Sequence, residues 1–185
     1  MSDKLPTKVV TSEVRLSYAQ LFEPKAVEEG GEKKYSVAIL FPKKDKALLT
    51  KLEAAIEAAK VVGKDKRWGG KIPKNLKTPI RDGDEKEEVD EAYAGHYYIN
   101  CTSTTKPGVV DKNLDPVLDK DEVYSGCYGR VSINFFPFDV SGNKGIAAGL
   151  NNVQKLRDGE RLSGRDSAET DFAEALEGAE DDDLL

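Results

Sequence analysis

The sequence predicts a mainly β protein: an OB-like antiparallel five-stranded barrel with one amphipathic α-helix and a disordered acidic C-terminal tail. Several short segments alternate apolar and polar residues, which is typical of half-buried strands, and a glycine-rich hairpin closes the series. Apolar residues recur at three- and four-residue spacing between 48 and 59, which predicts the helix. We therefore divide the chain into an OB-fold domain, residues 1–165, and an acidic tail, residues 166–185.

The last hairpin, residues 124–156, is the stretch around which the prediction is built. Its turn, 141–145, is rich in Gly and Asn, which tolerate positive φ. One face of the strand before the turn is apolar, and the other carries a cation, small polar groups and an aromatic ring. The predicted inner face holds Val131, Ile133 and Phe135, and the outer face holds Arg130, Ser132, Asn134 and Phe136. Cations and rings on one face suit phosphates and nucleobases, although Phe136 or Phe138 could instead pack under a loop.

The other elements follow from the same patterns. Strands are predicted at 8–17, 35–41 and 95–102, and a short one at 109–111. In the third strand Tyr97 faces the core and Tyr98 faces outward. Asp45 is the predicted N-cap of a helix that runs to about residue 62, where Gly63 ends it.

The loop at 64–81 holds seven cations and one acid, with a tryptophan among them. Basic residues interleaved with an aromatic ring suit an unpaired nucleic-acid strand, in which charges follow the phosphates and the ring stacks on a base. The alternative is a solvated loop whose Trp68 plugs the core. An acidic connector, 82–91, follows this loop.

Charge is segregated along the chain. The formal net charge is −6, but residues 166–185 hold nine acids and no Lys or Arg. Residues 1–165 hold the remaining 25 acids and all 28 bases, so they carry a charge of +3. A mildly basic body with a strongly acidic tail predicts partners of opposite charge for the two parts of the chain.

Composition weighs against several other classes of protein. No run approaches the roughly 20 apolar residues of a membrane span, and the N-terminus has no apolar signal core, so we expect an intracellular protein without a membrane partner. Cys101, Cys127 and His96 lack zinc-ligand spacing, and buried, inert thiols are favoured over a Cys–His nucleophile. We expect no metal, no cofactor and no enzymatic activity.

Six motifs stand out along the chain: RLSYAQLFEPKA at 15–26, YSVAILFPK at 35–43, PIRDGDE at 79–85, GHYYIN at 95–100, VYSGCYGRVSINFFPF at 123–138 and GNKGIAAGLNNVQKLRDGERLSGR at 142–165. Together they resemble the motifs of the tailed-phage single-stranded DNA-binding protein family, long catalogued as a domain of unknown function. The resemblance implies an OB fold and sequence-independent binding of single-stranded DNA in phage replication or recombination, in the cytoplasm of the host cell. It also implies kinship with replication proteins whose acidic tails recruit DNA polymerase. The predicted helix falls between the second and third strands, whereas in the commonest OB order it follows the third.

A DNA-binding surface is the hypothesis that unites these features. The residues expected to meet phosphates are Arg15, Lys43, Lys66, Arg67, Lys71, Lys74, Arg81, Lys106 and Arg130. The rings expected to stack on bases come from Trp68, Tyr98, Tyr128, Phe136 and Phe138. We expect the tail to compete with DNA and to offer Asp181, Asp182, Asp183, Leu184 and Leu185 to replication proteins.

Two other functions compete with this one. The segregated tail also suits an acidic adaptor that binds protein and no nucleic acid. Asp82, Asp84 and Glu85 could hold a divalent ion in a nuclease, but no general base is evident nearby. The sequence leaves open the oligomeric state, a homodimer included, and the choice between DNA and RNA.

Overall fold

The structure, a computed structural model, describes residues 6–26, 30–86 and 91–162. The predicted disordered tail and its five partner-binding residues lie outside these ranges, as does most of the acidic stretch after Lys86. The elements, in chain order, are β1 Lys8–Val10, β2 Val14–Lys25, β3 Lys34–Pro42, α1 Lys46–Lys66, β4 Arg81–Asp82, β5 His96–Ser103, β6 Gly108–Val110, β7 Tyr128–Val140 and β8 Asn143–Arg157. Two short 3₁₀ turns, Gly83–Glu85 and Lys120–Glu122, complete the series.

Five of the strands close into a ring in the order β2, β3, β5, β8, β7. Four of the five pairings are antiparallel, and β5 pairs with β8 in parallel at Cys101–Ala148. A ring with an odd number of strands cannot alternate direction all the way around, so at least one parallel pairing is required. The predicted OB-like barrel is confirmed, and α1 lies between the second and third ring strands, as the sequence predicts.

The first strand differs from its prediction. Residues 8–17 were expected to form one strand, but the chain breaks between β1 and β2. There Thr11 bonds β7 twice: its backbone N–H donates to the Val131 carbonyl at 3.0 Å, and its hydroxyl accepts from the Val131 N–H at 3.0 Å. The chain then continues in β2 as far as Lys25, through a segment that the sequence marks as an apolar edge before a turn.

The main core is a large apolar cluster inside the ring, and a second, smaller cluster of Ala38, Leu40, Tyr93 and Tyr98 lies apart from it. Val131, Ile133 and Phe135 of β7 are all buried, as their alternation predicts. Leu52, Ala55, Ile56 and Ala59 of the helical stripe belong to the same cluster, so α1 packs its apolar face on the barrel. No helix within the described ranges is long and apolar enough to cross a membrane.

The helix is longer than its prediction. Asp45 caps it, accepting a hydrogen bond from the Leu48 N–H at 3.2 Å, but Gly63 lies inside the helix, which continues to Lys66. Gly63 is buried because Trp68 and Pro137 press against it: a Cβ there would lie 2.7 Å from atoms of each. This glycine is required by close packing and does not end the helix.

We therefore expect Gly63→Ala to lower the free energy of unfolding by up to about 2 kcal/mol, measured by urea denaturation. Overpacking a filled site costs about 1–3 kcal/mol, which outweighs the roughly 1 kcal/mol that Ala gains in helix propensity. The control is Val61→Ala, at an exposed position of the same helix, where Ala gains helix propensity without a clash. Equal or greater stability of Gly63→Ala would contradict the packing described here.

Candidate nucleic-acid interface

The far end of the β7–β8 hairpin presents two aromatic rings on its outer face. Phe136 is 41% exposed, and Phe138 is half-buried. Each ring lies across a glycine of the neighbouring strand: a Cβ at Gly149 would be 3.4 Å from Phe136, and one at Gly145 would be 2.9 Å from Phe138. Small residues in β8 thus make room for the rings, which stay on the surface of the barrel.

The basic loop is attached to this hairpin at two points. At its start, the Trp68 indole N–H donates to the Phe138 carbonyl at 3.2 Å. Further on, the Lys77 N–H donates to the Lys144 carbonyl at 3.2 Å, and the Lys77 carbonyl accepts from the Ile146 N–H at 3.1 Å. The segment between these anchors carries two exposed lysines beside the hairpin.

The cations of the loop are unpaired within the described part of the chain. Lys71 and Lys74 are exposed, and neither forms an ion pair with another described residue. Lys66, Arg67 and Arg81 are exposed in the same way. The two anchors therefore hold Lys71 and Lys74 beside the end of the hairpin that carries Phe138, whereas Arg81 lies in β4 opposite Tyr98 of β5.

Trp68 is a correction to the stacking hypothesis. Its side chain is only 6% exposed, packs against Gly63 and belongs to the apolar core. A ring so placed offers no free face to a base. Its position is the one described by the alternative prediction, in which the tryptophan fills part of the core.

Tyr98 faces outward, as its alternation predicts, yet it is only 9% exposed. Tyr93 covers it: the two rings meet edge to face at 5.2 Å, and the Tyr93 hydroxyl donates to the Ser17 hydroxyl at 2.9 Å. The Lys86 ammonium lies over both rings, 4.5 Å from the centre of Tyr93 and 5.0 Å from that of Tyr98. Because Tyr93 and Lys86 cover its ring, Tyr98 is not available to stack on a base. The alternation of residues along β5 does not reveal this cover.

Arg15 and Tyr128 lie together in a second place, on the outer face where β2, β7 and β8 meet. The Arg157 guanidinium lies 3.8 Å from the Tyr128 ring centre, and Arg15 lies 5.4 Å from it. Arg15 also donates to the carbonyls of Gly126, at 3.2 Å, and Glu160, at 2.8 Å. One face of Tyr128 is thus occupied by an arginine, and Arg15 helps to hold the segment after β8.

These residues line a groove of about 740 Å³ that also contains Tyr18. Tyr18 is absent from the sequence-based site, although its ring is 52% exposed. It lies in an irregular stretch of β2 with a φ of +48°. Period-two alternation gives no sign of such a bulge. The one sign in the sequence is the tyrosine of the RLSYAQ motif, which is not among the predicted site residues.

Lys43 is committed to two carboxylates. Its ammonium lies 2.6 Å from Asp82 and 2.7 Å from Asp84, which also accepts from the Gly95 N–H. The hydrogen bonds to Asp82 and then Asp84 raise the pKa of Lys43, and the bond from Lys43 lowers the pKa of each carboxyl group. The ammonium is neutralised locally, which weakens its case as a phosphate ligand. Asp82 and Asp84, two of the three acids of the nuclease hypothesis, instead tie β4 and its 3₁₀ turn to Lys43 at the end of β3.

The remaining candidates are scattered. The Arg130 guanidinium donates to the Thr11 carbonyl at 2.9 Å and so supports the break between β1 and β2. The Lys106 ammonium lies 5.8 Å from the centre of the Phe22 ring.

Cys101 and Cys127 are buried, and burial raises the pKa of both thiols, which keeps them protonated.

Comparison with known proteins identifies the family. The family model described as the Enterobacter phage Enc34 single-stranded DNA-binding protein matches residues 7–185. The chain belongs to the Enc34 single-stranded DNA-binding protein family. This is a family of non-enzymatic type, and the resemblance drawn from the six motifs is confirmed.

Individual relatives agree with this assignment. Protein p50 of Acyrthosiphon pisum secondary endosymbiont phage 1 is 34% identical over 188 residues, covering 96% of this chain and 98% of that one. The single-stranded DNA-binding protein of bacteriophage Enc34, solved in complex with single-stranded DNA, is 28% identical with a TM-score of 0.74, covering 85% of this chain and 90% of that one. The gp2.5 single-stranded DNA-binding protein of bacteriophage T7 shares the fold: its TM-score is 0.59 at 16% identity, over 90% of this chain and 93% of that one.

The Lys43 ion pairs predict a pH-dependent contribution to stability. We expect Lys43→Met to lower the melting temperature at pH 7, because two neighbouring carboxylates lose their shared cation. A carboxyl group whose pKa is lowered by folding contributes stability above its unfolded pKa, here 3.8, and loses it as pH falls further. The gap in melting temperature between parent and variant should therefore close below about pH 3.8. A gap that persists unchanged in acid would contradict this account of Lys43.

Proposed function

We propose that this protein binds single-stranded DNA without regard to sequence, in phage DNA replication or recombination in the host cytoplasm. One observation carries the proposal. Over 85% of its length the chain has the fold of a family member solved in complex with single-stranded DNA, at 28% sequence identity. The exposed cations and rings at the far end of the β7–β8 hairpin supply the groups that such binding needs.

The phosphate contacts are assigned to the basic loop. Lys71 and Lys74 are exposed, form no ion pair within the described ranges and lie between the two points at which the loop is bonded to the hairpin, so they can follow a flexible backbone. On a single strand each neutralised phosphate adds about −0.7 to the slope of log K against log salt, so about five contacts would give a slope near −3.5. Lys43 is left out of this set, because Asp82 and Asp84 already neutralise it.

The base contacts are assigned to Phe136 and Phe138. Every base has a π-face, so stacking on an exposed ring is worth about 1–3 kcal/mol per base whatever the sequence. Gly145 and Gly149 make room for the two rings, which lie across them on the outer surface of the barrel. This division of labour explains sequence-independent binding: rings take the bases, and cations take the phosphates.

The acidic tail is proposed as a regulator and a recruiting element. Its nine carboxylates are tethered to the domain, so their effective concentration near the basic loop is high. Bound DNA displaces the tail and frees Asp181–Leu185 for replication proteins such as DNA polymerase. These proteins would need a basic surface with an apolar socket.

The loop cations give the first test. We expect the double variant Lys71→Gln, Lys74→Gln to weaken binding to oligo-dT and to make the salt slope shallower by up to about 1.4, at about 0.7 per phosphate. Fluorescence anisotropy across a salt series measures both quantities.

The matched control is the double variant Lys51→Gln, Lys60→Gln on the helix, which removes the same charge where Lys51 binds the Val10 carbonyl and Lys60 pairs with Glu57. Equal effects of the two variants would remove the loop from the interface.

Absence of oligo-dT binding by residues 1–165 at low salt would favour the acidic adaptor.

The tail gives the second test. Deleting residues 166–185 should tighten binding to oligo-dT, and most of all at low salt, because screening weakens the competition. A chain of unchanged length with its nine acids replaced by Asn and Gln should behave like the deletion, which separates charge from length. If both variants bind oligo-dT with the affinity of the parent, the tail does not compete with DNA.

A further inference from the structure

Tyr18 is displayed in an unusual way. The pairing of β2 with β3 shifts register between Ser17 and Gln20, and Tyr18 lies in this bulge with a φ of +48°. Its ring is 52% exposed and, among the described residues, has no ring partner, while its hydroxyl makes no hydrogen bond. A non-glycine residue rarely adopts positive φ, and an aromatic residue gains nothing locally by doing so.

The neighbours of Tyr18 hold the bulge in place. On one side the Ser17 hydroxyl accepts from the buried Tyr93 hydroxyl at 2.9 Å. On the other, the Ala19 N–H donates to the Ser125 hydroxyl at 3.3 Å. Contacts from two distant segments therefore impose a strained conformation whose visible result is an outward-pointing ring. Strain that the surroundings impose in this way concentrates at binding and catalytic sites.

The groove around this ring is suited to a nucleotide. Its lining holds Arg15 and Arg161 together with the acids Glu13, Asp45, Glu91 and Glu160. Neither arginine forms an ion pair with another described residue, although Arg15 donates to two backbone carbonyls and Arg161 lies over the Tyr124 ring. Arg157, which also lines it, is paired with Glu13 at 2.7 Å. Arg157 covers one face of Tyr128, whereas Tyr18 is 52% exposed and offers its ring to a base. Arginine side chains beside an exposed ring are the groups that a phosphate and its base require.

We propose that Tyr18 is a base-stacking residue and that its groove is a second contact for single-stranded DNA. The inference rests on the proposed function and extends it. Tyr128, at the groove, and Phe136, at the far end of the hairpin, are eight positions apart on β7, or roughly 26 Å at about 3.3 Å per residue. The groove therefore lengthens the path of the strand beyond the basic loop.

The test compares Tyr18→Gly and Tyr18→Phe in the full-length protein, with anisotropy of labelled oligo-dT and thermal melting as readouts. Tyr18→Gly should weaken binding by about 5- to 150-fold, the loss expected for one stacked base. Its melting temperature should equal or exceed that of the parent, because glycine adopts positive φ without strain. Tyr18→Phe keeps the ring and should bind like the parent.

Leu114→Gly is the matched control. Leu114 has a φ of +69° and is 70% exposed, and it lies outside the groove. Relief of the same strain there should leave DNA affinity unchanged. A merely structural Tyr18 would give the reverse pattern for Tyr18→Gly: lower stability with unchanged affinity.

The outcomes separate the two proposals. If the parent binds oligo-dT and Tyr18→Gly binds equally well, the second contact is overturned while DNA binding stands. If Leu114→Gly weakens binding as much as Tyr18→Gly, the effect is not specific to the groove, and the assignment of Tyr18 is likewise overturned. If the parent itself does not bind, the proposed function fails first.

Discussion

The alternation of side chains along β7 is the constraint on which the rest of the structure depends. Val131, Ile133 and Phe135 are each no more than 1% exposed and fill the barrel. Because successive residues of a strand point to opposite faces, Phe136 and Phe138 must then lie outside. A slip of one residue would exchange the two sets, placing rings in the core and aliphatic groups on the surface. The pairing of β7 with β1, β2 and β8 fixes this register.

The cations of this domain divide into two classes. Lys43 and Arg157 are paired with carboxylates, Arg130 binds a backbone carbonyl, and all three stabilise the fold. Lys71 and Lys74 make no such contact with the described residues and lie on a loop anchored to the hairpin. Counting charges along the sequence treats both classes alike. Only the second class has its full charge available to an anionic ligand.

The sequence predicted what depends on local periodicity and missed what depends on distant contacts. Alternation placed the inner face of β7, and three- and four-residue spacing placed the helical stripe. Trp68 was misplaced because its partner is Gly63, a residue that reads as a helix stop when considered alone. Tyr98 faces outward as predicted, but Tyr93 folds over it from another segment. Tyr18 was overlooked because its bulge is imposed by Tyr93 and Ser125, far away in the chain.

The central claim is that single-stranded DNA binds outside the barrel, along the basic loop and the far end of the hairpin. Chemical-shift mapping of the ¹⁵N-labelled protein with oligo-dT tests it most directly, because each backbone amide reports separately. We expect large shifts at residues 69–76 and 136–145, and little change at the buried Trp68 indole. Shifts confined to other parts of the domain, or a strongly perturbed Trp68 indole with a silent loop, would contradict the account.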